Sequence, residues 1–132
     1  MVRGEYFVGE DVTPNSIANS TSETELLEYV IPANTIANGI KIRIGIAGVS
    51  NSMGRIVTFR IKIGADGSET TRMTRILRVG DTAEGGEANA DVEYVFDDVD
   101  WSSEQSVSIT AENSTVNTDN IGYADYLNIS GY

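Results

Sequence analysis

The chain has 132 residues, no cysteine, no histidine and a formal net charge of −11. That composition closes disulfide and thiol chemistry and removes the commonest general base and transition-metal ligand, so the Ser-His and Cys-His catalytic pairs are excluded. A chain of this length reads as one domain that buries roughly two thirds of its unfolded surface, and 40% hydrophobic content argues against disorder.

No apolar run approaches the ~20 residues of a membrane-spanning helix. The N-terminal MVRGEYFVGED lacks the apolar centre of a secretory signal. A soluble chain with no membrane partner is therefore expected. The charge is unevenly spread. Residues 1–40 hold six acids and one base, residues 41–78 eight bases and two acids, and residues 79–132 twelve acids and no base, giving −5, +6 and −12. Basic middle strands could lie beside acidic later strands in one sheet, with opposite charges across from each other. Alternatively, a bipolar surface could dock on a neighbour. No nucleic-acid partner is expected, because the basic middle does not offset the acids on either side of it.

In chain order, residues 4–9 carry Tyr6, Phe7 and Val8 as a short strand or arm. Residues 10–25 read as a loop, with Pro14, Asn15 and a Ser/Thr run. Residues 26–31 form a strand that stops at Pro32, which has no ladder donor. Residues 33–39 are a turn, with Asn38 and Gly39 placed to permit positive φ.

Two strongly alternating segments follow. In residues 40–47, Ile40, Ile42, Ile44 and Ile46 point one way and Lys41, Arg43 and Gly45 the other. In residues 56–63, Val57, Phe59, Ile61 and Ile63 share a face, opposite Thr58, Arg60 and Lys62. Period-two alternation is the pattern of half-buried strands. The connection 48–55 predicts an antiparallel pair with one apolar and one basic face.

Asp66 and Gly67 signal a hairpin into a strand over residues 70–79. A Gly- and Glu-rich loop is predicted at 80–89, then a strand at 91–96 with Val92, Tyr94 and Phe96 in phase. A turn at 97–104 holds Trp101, a strand at 105–111 alternates cleanly, and a polar loop covers 112–121. The closing strand, 123–129, offers Tyr123, Leu127 and Ile129 to one face. Helical periodicity is missing. Seven to eight short strands with turns between them predict an all-β antiparallel sandwich, jelly-roll-like first and immunoglobulin-like second. The expected division is an N-terminal arm and polar loop over residues 1–25 and a sandwich domain over 26–132.

Only carboxylates remain for chemistry. Asp97, Asp98 and Asp100 are the candidate oxygen ligands for calcium, although an EF-hand pattern is absent and a solvated acidic turn is the favoured reading. No enzyme activity and no cofactor are expected. Trp101, Tyr94, Tyr123 and Tyr126 are candidates for a sugar-stacking platform or for core and interface positions. Asn19, Asn113 and Asn128 lie in N-x-[ST] sequons.

The run EYVIPANTIANGIKIRIGIAGVSNSMGRIVTFRIKIG resembles a pattern of tailed-bacteriophage virion proteins. It matches through the IPANT of residues 31–35, Gly39, residues 42–46, Gly48, Asn51, Gly54 and residues 58–64. The likeness spans about a quarter to a third of the chain. It implies a jelly-roll-like module that serves as a capsid-decoration, head-fibre or tail-associated component. It further implies location in the virion, the major capsid protein or another virion protein as partner, and self-association, with a trimer favoured. Tyr6, Phe7, Lys41, Arg43, Arg60 and Lys62 are the interface candidates, and residues 1–25 are expected to touch a neighbouring subunit or the capsid. A carbohydrate- or receptor-binding module of a phage tail or cell-surface protein is the second function class.

Overall fold

The alternation written in the sequence becomes strand almost everywhere. The computed structural model describes residues 5–52, 54–80, 86–116 and 120–132. Among them are nine strands and no helix: β1 (Tyr6–Asp11), β2 (Asn15–Ala18), β3 (Thr24–Ile31), β4 (Ile40–Ser50), β5 (Ile56–Gly64), β6 (Thr70–Arg78), β7 (Gly86–Phe96), β8 (Gln105–Asn113) and β9 (Ile121–Gly131). Residues 1–4 of the expected arm, 81–85 of the loop after β6 and 117–119 of the loop before β9 lie outside the described residues.

One sheet runs β1-β9-β4-β7, and β2 extends the β1 edge by pairing with β9. The other runs β3-β8-β5-β6. All pairings are antiparallel. From β2 onward the chain changes sheet at every step except the β5–β6 hairpin, which is the winding of a jelly-roll sandwich. The hairpin turns at Asp66 and Gly67 as expected, with Gly67 at φ 84 and the Ser68 amide donating to the Ala65 carbonyl at 2.8 Å.

Four expectations change. The alternating segments β4 and β5 are not partners. β4 pairs with β7 and β9, and β5 with β6 and β8. Placing them in opposite sheets buries the isoleucine row of β4 and the Val57–Phe59–Ile61–Ile63 row of β5 from two sides of one core. The basic residues are thereby split onto two outward faces.

Residues 6–18 are not a free arm and loop, because β1 and β2 both pair with β9. Ile17, the one large apolar residue of β2, is 5% exposed and sits opposite Gly122. Without these strands the β9 ladder would face water unpaired. Strand β7 begins at Gly86 and pairs residue by residue with the far end of β4, so the expected loop is shorter. Finally, among the described non-glycine residues positive φ falls on Asn19 and Asn34, not on Asn38. At Gly39 a Cβ would lie 2.7 Å from the Phe96 carbonyl oxygen and the Tyr132 hydroxyl, so close packing is what requires glycine there.

The core is built from the inward rows of both sheets, with Leu27, Ile31, Val107, Ile109, Leu127 and Ile129 added to β4 and β5. Trp101 also belongs to it, at 6% exposed, while its carbonyl accepts from the Asn34 amide at 2.9 Å. Small residues on one sheet admit large ones from the other. A Cβ at Gly122 would stand 2.6 Å from Val57 Cγ1 and 3.4 Å from Ile17 Cγ2. Packing at this density leaves no room for an added methyl group.

Candidate functional site

The outer face of the β1-β9-β4-β7 sheet gathers tyrosines and charged groups of both signs, and one irregularity in β9 arranges them. Gly45 of β4 pairs with Tyr126 and Ile46 pairs with Ala124, so Asp125 has no partner on β4. This is a β-bulge: two residues stand against one, and side-chain phase shifts across it. Gly122, Ala124, Leu127 and Ile129 therefore all point inward and are buried. Tyr123 and Tyr126, three residues apart, both point outward. Plain alternation had put Tyr123 in phase with Leu127 and Ile129, and the bulge corrects it.

The registers define cross-strand rows on this face. Phe7, Ser130, Lys41 and Val95 form one; Glu10, Asn128, Arg43 and Glu93 the next; Tyr126, Gly45 and Asp91 a third; Ser16, Tyr123, Ala47 and Asn89 a fourth. The Tyr126 ring lies over Gly45, in the space a Cβ there would take. Its hydroxyl donates to Asp91 Oδ1 on the far side of β4. Arg43 donates to both carboxylate oxygens of Asp91 at 3.3 Å. The Tyr126 hydroxyl and then the guanidinium hold the Asp91 carboxyl below its ordinary range, and Arg43 is raised by the same contact. Burial, then the neighbouring Asp91, raises the Tyr126 phenol. One row over, Asn128 Nδ2 donates to Glu10 Oε2 at 3.3 Å. Between these groups lies an open groove of about 490 Å³ lined by Glu10, Val12, Arg43, Tyr126 and Asn128.

The interface candidates divide. Lys41 and Arg43 lie on this face, and Lys41 pairs with Glu5 at 3.2 Å and Glu93 at 3.8 Å. Phe7 is 64% exposed beside them. Tyr6 packs instead against Gly131, and its hydroxyl donates to the Thr35 carbonyl at 2.8 Å. Arg60 and Lys62 occupy the outer face of the opposite sheet, where both meet Glu23, at 3.4 and 3.3 Å, and Arg60 also approaches Glu112 at 3.9 Å. The Thr110 hydroxyl first, with Lys62 and Arg60 working against burial, keeps the Glu23 carboxyl below its usual range. Lys41, Arg43, Arg60, Lys62 and Arg72 of the basic middle thus meet acids within the molecule, Glu5 and Glu23 from the N-terminal segment as well as Asp91, Glu93, Asp98 and Glu112 from the acidic end.

The calcium candidates do not converge. Asp98 pairs with Arg72, and Asp100 accepts from the Ser102 amide and hydroxyl to close its own turn. Among the described residues, three carboxylates come together elsewhere: Glu25 and Glu28 on β3 and Glu69 at the end of the β5–β6 turn, with oxygens within 4.8 Å of one another. Sequence separation hid this group, and no spacing motif signals it. Burial first, then the hydrogen bond and charge of Glu28 and the charges of Glu69 and Asp66, raise the Glu25 carboxyl to about 7. Of the proposed aromatic platform, Trp101 is core and Tyr94 packs against the core from the inner face, so only Tyr123 and Tyr126 share an outward surface.

No family model matches the sequence, and no curated protein matches it. Solved structures do share the fold. A chain of the T13 viral particle of infectious bursal disease virus superposes with a TM-score of 0.63 at 14% identity, covering 99% of this chain and 32% of that one. The VP2 subviral particle of the same virus gives 0.59 at 14% identity, over 98% of this chain and 33% of that one. The C-terminal domain of EclA, a sugar-binding protein, gives 0.53 at 14% identity, covering 94% of this chain and 81% of that one. The chain spans about a third of the length of the viral chains it matches. At this identity the likeness is one of fold: this chain has the jelly-roll sandwich that these proteins also contain.

Proposed function

We propose that this chain is a non-enzymatic structural module of a virion, a decoration or cementing protein that stabilises an assembled phage shell. The observation that carries the reading is the superposition of nearly the whole chain on one third of a viral-particle chain, joined to the IPANT-containing pattern. Two structural features support a role in assembly. Exposed apolar residues, Phe7 at 64% and Val95 at 56%, flank Lys41 and Ser130 in one cross-strand row. Beyond the internal ion pairs, the edge strands β6 and β7 carry opposite charge, Arg75 and Arg78 against Glu87, which suits side-by-side packing of copies. The partner is the major capsid protein or another virion protein, and the chain acts as a homotrimer.

The test is co-sedimentation of the purified chain with shells assembled from the major capsid protein of its own phage. Binding with a raised shell-disruption temperature is expected, and a chain that stays in the supernatant overturns the reading. Light scattering should give a mass of about 43 kDa, three times the 14.2 kDa chain.

A second reading, a sugar-binding module, is favoured by one observation: the bulge places Tyr123 and Tyr126 together on an outward face, in a fold shared over 81% of a sugar-binding domain.

A further inference from the structure

We propose that the groove on the outer face of the β1-β9-β4-β7 sheet is a binding site for a neutral hexopyranose, seated against the ring of Tyr126. The inference rests on the second reading above and gives it a location and a ligand class.

Preorganisation is the first support. The Tyr126 ring is set by the bulge at Asp125, rests on Gly45 and is tied by its hydroxyl to Asp91, which also takes both hydrogen bonds from Arg43. A ring already fixed in place loses little freedom when a ligand stacks on it. Chemistry is the second support. A pyranose presents a C–H face and a rim of hydroxyls that both donate and accept. The groove matches this with the Tyr126 ring and Val12, 57% exposed, as apolar surface. Arg43 and the Asn128 amide offer donors, and Glu10 offers carboxylate acceptors. Its volume, about 490 Å³, falls within the ~300–1,000 Å³ of small-molecule sites.

Charge selects among sugars. Glu10, Asp91 and Glu93 outnumber Arg43 along the two rows that border the groove, and Asp91 already takes the Nε and Nη2 hydrogen bonds of the guanidinium, leaving Nη1 as the donor towards a ligand. A sialic or uronic acid would bring its carboxylate against these acids, so the ligand is uncharged.

The test follows the aromatic NMR signals of the 132-residue chain. It is titrated with the methyl glycosides of glucose, galactose, mannose and N-acetylglucosamine, and with sialic acid as the anionic comparator. At least one neutral glycoside is expected to move the Tyr126 ring signals with millimolar affinity, and sialic acid to leave them in place. Tyr126→Ala should weaken that binding about tenfold or more. Val12→Arg, at an exposed position outside the strands, should do the same and keeps the test decisive if Tyr126→Ala fails to fold. Binding that survives Val12→Arg and leaves the Tyr126 signals unmoved overturns this site while the sugar-binding reading stands. No response to any neutral glycoside at about 100 mM overturns both. Preferential binding of sialic acid overturns the neutral assignment.

Discussion

Gly122 shows how much one hydrogen atom decides here. Its Cα faces Val57 at a distance that a methyl group cannot share, and Val57 is fully buried with no route to relax. Gly122→Ala should therefore destabilise the fold by about 1–3 kcal/mol, read as a lowered urea midpoint with an unchanged slope. Glu25 works in the opposite sense, since its carboxyl is raised to about 7 from an ordinary 4.5. A carboxyl raised in the folded state contributes stability that is complete below pH 4.5 and fades as pH climbs through 7. Glu25→Gln is expected to raise the Tm at pH 8 and to change it little at pH 4. Glu25 stays more than a third exposed, so solvent screens part of the effect. An equal gain at both pH values would show that the charge of Glu25 is not the cause. Neither residue announces itself in the sequence: Gly122 reads as an ordinary glycine between Ile121 and Tyr123, and the group of Glu25, Glu28 and Glu69 forms only when segments distant in sequence meet.

At the scale of elements, legibility follows hydrophobic content. β3, β4, β5 and β8 each carry an uninterrupted alternating or apolar row and lie within a few residues of their expected bounds, and β6 does so through the Asp66–Gly67 turn signal before it. β2 carries one apolar residue, Ile17, and exists because β9 needs a partner, a demand the local sequence does not record. The bulge in β9 is equally silent, since Tyr123, Asp125, Leu127 and Ile129 alternate as well on paper as the true inward set. The partner of β4 could not be read at all: two amphipathic strands in succession fit a hairpin and a crossover equally.

These features carry their own tests. Deleting residues 1–25 removes β1 and β2 with Ile17, strips the edge of β9 and opens the core. The truncated chain is expected to aggregate and to lose cooperative melting, whereas a mere arm would leave the melt unchanged. Deleting Asp125 removes the extra residue of the bulge, so Gly122, Ala124, Leu127 and Ile129 keep facing inward in plain alternation. The variant is expected to stay folded by circular dichroism with a cooperative melt, and loss of the folded state would show that the bulge itself is required.

For the whole molecule, charge is neutralised locally and unbalanced globally. Lys41, Arg43, Arg60, Lys62 and Arg72 each meet an acid, yet the chain carries −11 in all. Exposed pairs of this kind contribute about 0–1 kcal/mol each and weaken in salt, while the self-repulsion of a strongly acidic surface is relieved by it. The second effect acts over the whole surface, so raising the salt from about 10 to 200 mM should raise the Tm. A falling Tm would mean that the ion pairs dominate.

The pairing of β1 and β2 with β9 has a temporal consequence as well. The first strands of the chain cannot find their neighbour until Ile121–Gly131 has been synthesised. At about 5–20 residues per second, the nascent β1 and β2 wait several seconds on the ribosome with their ladders open. Folding then has to close the longest loop in the molecule, a step that sets the pace for sheets built from remote strands. A translational pause before β9 would lengthen that exposure, and a circular permutation joining β9 to β1 through a short linker would turn the slowest pairing into a local one.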